Sequence, residues 1–196
     1  MRLEVLTSSW PQSRDDPSGH FVAAGVEALR AAGAQVGVRT LFPGVDHAEL
    51  PTHSWSTVAP ARGGAIYWAR RHPLQALGLA ARSPQFLAGL SRADRVVCHW
   101  AWPLPMLAQV AGVRPERLRT VCHGSGLRLV RRVAGVALGR PHPVAVVAEH
   151  QLLDLPVGWR PAAHVLPVPI SRGTAPTRQI DRVVVFVGRL IAAKGV

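Results

Sequence analysis

Apolar positions along the chain follow two alternating patterns, compact runs and helical spacings. "RLEVLT" (2–7) reads as a first strand, and "SSWPQSRDDPSG" after it as a polar, turn-rich loop. Ser18 stands where a helix cap is expected. Phe21, Val22, Gly25, Val26 and Leu29 then fall on one helical face, and Gly33 ends the helix. "AQVGVRTLF" follows as a second strand, closing a strand–helix–strand unit over 2–42 that favours a parallel sheet.

Residues 43–60 read as irregular, and 61–92 as two or three short helices broken by Pro73 and Pro84. "ADRVVCHW", "RLRTVCHG" and "PVAVVAEH" read as further strands, and "AAHVLPVPI" as a short one. Between them, "PLPMLAQVAG" and "LRLVRRVAGVALG" read as helices. "SRGTAPTRQI" has linker composition, and "DRVVVFVG" starts a new strand. The expected fold is α/β, a Rossmann-like doubly wound parallel sheet over 1–170. A linker at 171–181 and the start of a second domain at 182–196 follow.

Composition changes this picture little. A chain of 196 residues, 48% hydrophobic and 17% charged, buries a core without disulfide staples. The net charge of +12 invites a nucleic-acid reading, but 22 of the 23 basic residues are scattered arginines with no long basic run. A basic face for anionic lipid or phosphorylated ligands fits better, and no nucleic-acid partner is expected. No signal peptide and no transmembrane-length run stands out, so a cytoplasmic chain with reduced thiols is expected, with possible peripheral contact at the inner membrane face. Tryptophan and arginine in "AIYWARRHPLQAL" suit such an interface.

Candidate chemistry gathers at strand ends, where parallel sheets bind ligands. The first strand leads into the Ser8–Gly19 loop; the others end on His99, His123, Glu149 and Gly188-Arg189. Gly19 opens a helix, whose N-terminus suits phosphate. Arg189 and Lys194 could clamp a diphosphate. Asp15 and Asp16 form a polar lip able to contact an acceptor hydroxyl, and Trp100 and Trp102 are candidates to line a site. "VCHW" and "VCHG" invite a zinc reading, which strand geometry opposes: neighbours on a strand point to opposite faces, leaving one ligand per pair. The cysteines then belong to the core and the histidines to the rim. His123, in the glycine-flanked "HGSG", is placed to hydrogen-bond a polar ligand. No GxGxxG supports a nicotinamide or flavin site.

Four stretches together resemble the N-terminal domain of a retaining GT-B glycosyltransferase of the large group 1 family. They are "TSSWPQSRDDPSGHFVAAGVEALRAAG", "ADRVVCHWAWPLPMLAQVAG", "TVCHGSGLRLV" and "VVVFVGRLIAAKGV". The last is similar to the F-V-G-R-L-x-x-x-K-G stretch that opens the family's second domain. The resemblance implies transfer of a sugar, with retention, from a nucleotide-diphosphate sugar to a lipid-linked, cell-envelope glycan or small-molecule acceptor, without a metal or other cofactor. It implies that Gly19 lies against the donor diphosphate and that His123 contacts the transferred sugar and supports developing charge. Arg189 and Lys194 would hold the diphosphate and neutralise the leaving group. Asp15, Asp16, His99, Trp100 and Glu149 fall at the acceptor side or cleft.

Gly126 stands where the family often has Asp, and Ala148 where it often has Ser before the glutamate. The nucleoside-binding portion with its E-x7-E motif is not present, so the chain is expected to be a fragment or truncation and inactive alone. The competing expectation is a non-catalytic Rossmann-like module that binds a phosphorylated ligand or anionic surface. A third is another GT-B enzyme, such as a nucleotide-sugar epimerase.

Overall fold

The computed structural model describes residues 1–11, 19–41, 52–54, 71–100, 103–123, 127 and 139–166. Seven strands form one sheet: β1 (Arg2–Thr7), β2 (Gln35–Thr40), β3 (Thr52–Ser54), β4 (Arg95–His99), β5 (Leu118–Cys122), β6 (Val144–Val146) and β7 (Ala163–Val165). Their spatial order is β3-β2-β1-β4-β5-β6-β7, and every pairing is parallel. Among the described residues the α-helices with stated bounds are α1 (His20–Ala31), α2 (Pro73–Ala81), α3 (Ser83–Leu87) and α4 (Leu104–Val110).

Both faces of the sheet are covered, which is why β1 is buried from Leu3 to Thr7. The pleat divides its residues. Leu3 and Val5 join Val36 and Val38 of β2 and Val22, Ala23 and Val26 of α1 in one core. Leu6 joins Val96 and Cys98 of β4, Phe86 and Leu87 of α3, and Leu104 and Ala108 of α4 in the core of the opposite face. A third cluster, with Cys122, Leu127, Val144, Val146, Leu155 and Trp159, fills the β6 side. With helices on both faces, the sheet is doubly wound.

One charged pair is built into this interior. Glu4 and Arg39 are buried, and Arg39 Nε donates to Glu4 Oε2 at 3.0 Å. Arg39 Nη1 also donates to the Phe86 carbonyl, tying β2 to α3. Arg2 Nη2 donates to Glu4 Oε1 at 3.3 Å. Gly37 is the register partner of Glu4, and a Cβ there would come 2.9 Å from Glu4 Oε2. The glycine therefore makes room for the carboxylate. A hydrophobic strand pattern gives no hint of this pair.

Several expectations need correction. The segment 43–60 is not irregular throughout, because Thr52–Ser54 pairs with β2 as an edge strand. The short helices expected over 61–92 are found, within the described residues, as α2 and α3, and their breaks fall at the prolines: Pro73 begins α2 and Pro84 lies in the first turn of α3, where a missing N–H costs nothing. The N-cap of α1 is Gly19 rather than Ser18, and no side chain caps it. "PVAVVAEH" yields only the three-residue β6, and the chain then turns into 3-10 helices at Glu149–Asp154 and Val157–Ala162. The expected helix over 127–139, the linker at 171–181 and the strand from 182 lie outside the described residues, apart from Leu127 and Gly139.

Removing Arg39 leaves the buried Glu4 carboxylate to the half-exposed Arg2. Arg39→Leu should lower stability by about 3–5 kcal/mol in urea unfolding, with partial recovery in the double variant E4L/R39L. A loss below about 1 kcal/mol would show the pair to be dispensable.

Candidate functional site

Strand order reverses between β1 and β4. From β1 the chain fills the sheet outward through β2 and β3, then returns to β4 on the other side. Loops leaving the carboxyl ends of these two strands diverge, and such a switch point is where open α/β sheets bind ligands. Thr7, the last residue of β1, is in register with His99, the last of β4.

The loop after β1 is shaped locally. The buried Thr7 hydroxyl donates to the Ser9 carbonyl at 2.9 Å and accepts from the Ser9 N–H at 3.1 Å. The returning chain enters α1 at Gly19 with φ +78°, and a Cβ there would meet the Ser9 carbonyl oxygen at 2.5 Å. The close approach that this glycine permits is therefore to the chain's own backbone. The Gly19 carbonyl accepts from Val22 and Ala23, starting the helix.

Strand alternation fixes the histidines. Cys98 and Cys122 sit in the cores of one face, so His99 and His123 emerge on the α1 face. There His99 Nδ1 lies 3.1 Å from His123 Nε2, with ring planes 8° apart. Phe21, in the first turn of α1, packs on them with centroids 4.4 Å from His123 and 6.4 Å from His99. Trp100 meets the His123 ring edge-on at 5.0 Å and Phe21 at 6.3 Å. Trp100 has φ +97°, and among the described residues no other non-glycine residue has positive φ. Its N–H donates to the Val121 carbonyl at 2.9 Å, which holds that strained backbone against β5. The Trp100 indole Nε1 is buried without a partner.

Burial disfavours charge on this cluster. Burial first, and then the neighbouring His123, push His99 down to about 3; burial pushes His123 down to about 4. At neutral pH both rings are uncharged. Burial holds the Cys98 thiol far above its ordinary range, and takes Cys122 up to about 12. Neither is a reactive thiolate. Among the described residues, no group of three or more His, Cys, Asp or Glu side chains is placed to hold a metal ion.

A second histidine cluster makes the contrast. His142 Nδ1 lies 3.0 Å from the Arg140 carbonyl, and its Nε2 lies 2.7 Å from the Thr120 hydroxyl. Both nitrogens of this buried ring are occupied by the protein. Gln109 closes the network, accepting from the Arg140 N–H at 2.7 Å and donating to the Arg140 carbonyl at 3.1 Å. This is a structural histidine, and nothing in the sequence pattern marks it as different from His99.

Of the expected site residues, Gly19, His99, Trp100 and His123 come together at the switch point. Glu149 is exposed at the start of the turn after β6, two strands away from β4. Asp15, Asp16, Trp102, Arg189 and Lys194 lie outside the described residues. Phe21 is the contributor that sequence reading assigned only to the helix core. Its place in the first turn of α1, at the carboxyl edge of β1, is the signal that marks it.

The fold and this rim define a doubly wound α/β domain whose described switch-point residues are aromatic rings and uncharged imidazoles. No protein-family model and no curated protein matches the chain. No helix of the described residues is long and apolar enough to cross a membrane.

Two outcomes test the geometry. Gly19→Ala adds left-handed strain and an overlap with Ser9, and should cost about 1–3 kcal/mol in urea unfolding; unchanged stability contradicts the packing. His99, His123 and His142 all have lowered pKa values in the folded chain, against about 6.5 unfolded. Below that pH the unfolded chain binds the extra protons, so stability should fall from about pH 6.5 downward; above about pH 8.5 the unfolded thiols ionise while buried Cys98 and Cys122 stay protonated, so it should fall there too. Imidazole resonances of folded His99 and His123 should show no titration above pH 5. A midpoint near 6.5 for either would contradict their burial.

Proposed function

We propose that this chain is the acceptor-side half of a retaining glycosyltransferase that uses a nucleotide-diphosphate sugar. The observation that carries the reading is the switch-point cluster of Phe21, His99, Trp100 and His123. A crevice of this kind suits a sugar. Aromatic faces cover the apolar side of the ring, and uncharged imidazoles meet its hydroxyls. Neutral histidines do not suit the diphosphate, whose charge calls for cations. On the family resemblance, Arg189 and Lys194 supply them and stabilise the leaving group. Gly19 lies at the same rim, at the N-terminus of α1, where the resemblance expects the donor phosphates.

In this mechanism the sugar is held against His123 with its anomeric carbon toward the acceptor. The bond to the donor phosphate breaks as the acceptor oxygen adds on the same face. The leaving phosphate takes the acceptor proton, so no protein nucleophile and no metal are needed. The acceptor is a lipid-linked or cell-envelope glycan or a small metabolite, met in the cytoplasm or at the inner face of the membrane.

Sugar transfer from a panel of nucleotide-diphosphate sugars tests the reading, using the protein as its reading frame encodes it in full. Transfer should retain the anomeric configuration. His123→Ala should lower kcat by about 10²–10³, the scale of losing a group placed on developing charge. Inversion, or a change below threefold, would contradict the assignment. Tight binding of inorganic phosphate without any transfer would favour a non-catalytic anion-binding module instead.

A further inference from the structure

The short contact between His99 Nδ1 and His123 Nε2 holds one hydrogen when both rings are neutral, and it can be arranged in two ways. In one, His99 Nδ1–H donates to His123 Nε2, which forces both residues into the Nδ1–H tautomer. In the other, His123 Nε2–H donates to His99 Nδ1, and both adopt the Nε2–H tautomer. Neutral histidine side chains intrinsically prefer Nε2–H. The second arrangement therefore satisfies the preference of both rings at once, and the first violates it twice. The near-coplanar rings, 8° apart, direct the hydrogen along the lone pair in either case.

We infer that His99 is a positioning residue that consumes the hydrogen-bond donor of His123, leaving His123 Nδ1 as a lone-pair acceptor for a ligand hydroxyl. Among the described residues, the sealed side-chain nitrogen or oxygen without a partner is the Trp100 indole Nε1. Among those residues the outer nitrogens, His123 Nδ1 and His99 Nε2, have no hydrogen-bond partner, and both rings are only partly buried. His142 differs because the protein fills both of its nitrogens. Phe21, tilted at 46°, and Trp100, edge-on, pack against the His123 ring. A ligand group at Nδ1 must then bring an O–H. A dianionic phosphate oxygen would meet a lone pair and be repelled.

The inference rests on the proposed function only in naming the ligand as a sugar. There it deepens that reading: a lone pair faces a ring that gains positive charge in glycosyl transfer, where an N–H would oppose it. His123 is in this account an acceptor toward the substrate, and its one proton is committed to His99.

The test is a long-range ¹H–¹⁵N spectrum of the ligand-free chain, labelled at histidine, at pH 7.5. His99 and His123 should both show a protonated Nε2 and an unprotonated Nδ1. His99→Ala should let His123 relax to a tautomer mixture. His99→Asn, whose side-chain oxygen can accept the same hydrogen, should restore the single tautomer. Inorganic phosphate at 10 mM should leave the His123 nitrogens unmoved. A protonated His123 Nδ1 in the wild-type chain, or a phosphate-induced shift at that nitrogen, overturns the inference. Because these spectra need no substrate, a failure of sugar transfer would count against the proposed function and leave this result standing.

Discussion

The pairing of β1 with β4 is the constraint on which the site depends. It places Thr7 beside His99 at the point where the chain stops filling one half of the sheet and begins the other. The loops above must part there, and α1 returns over the gap on a glycine pressed against Ser9. The described residues that line it are held by strand ends of the sheet or by the first turn of α1.

The crevice is also expensive in local terms. Trp100 holds a left-handed backbone and an unpartnered indole N–H, and two histidines are kept neutral by burial. Strain and unsatisfied groups of this kind persist where surrounding structure over-determines them. Here the Val121 carbonyl and the aromatic contacts of Phe21 and His123 do so. By contrast, the Thr120–His142–Gln109 network is saturated, and it serves to join β5 to the approach to β6.

Much of the fold was legible in the chain because parallel strands buried on both faces leave continuous apolar runs. "RLEVLT", "RVVCH" and "LRTVC" are strands for that reason, and period-2 alternation correctly assigns Cys98 and Cys122 to the core and the histidines to the opposite face. The edge strand Thr52–Ser54 escaped notice because three residues carry no pattern, and it owes its place to pairing with β2. The Glu4–Arg39 pair was invisible since its partners lie on different strands and only the register brings them together. At the site, alternation could give the face of His99 and His123 but not their 3.1 Å contact, which depends on the side chains' own rotation. Glu149 looked equivalent to them because it follows an apolar run; β6 is shorter than that run, and the chain has already turned away.

The central claim is that ligands of this protein enter at the carboxyl ends of β1 and β4 and reach His123. Its most direct test is a backbone amide titration of the labelled chain with nucleotide-diphosphate sugars. The account predicts shifts gathered at Thr7–Trp10, Gly19–Phe21, His99–Trp100 and His123. Shifts gathered instead at the opposite edge of the sheet, or around Gln109 and His142, would contradict it.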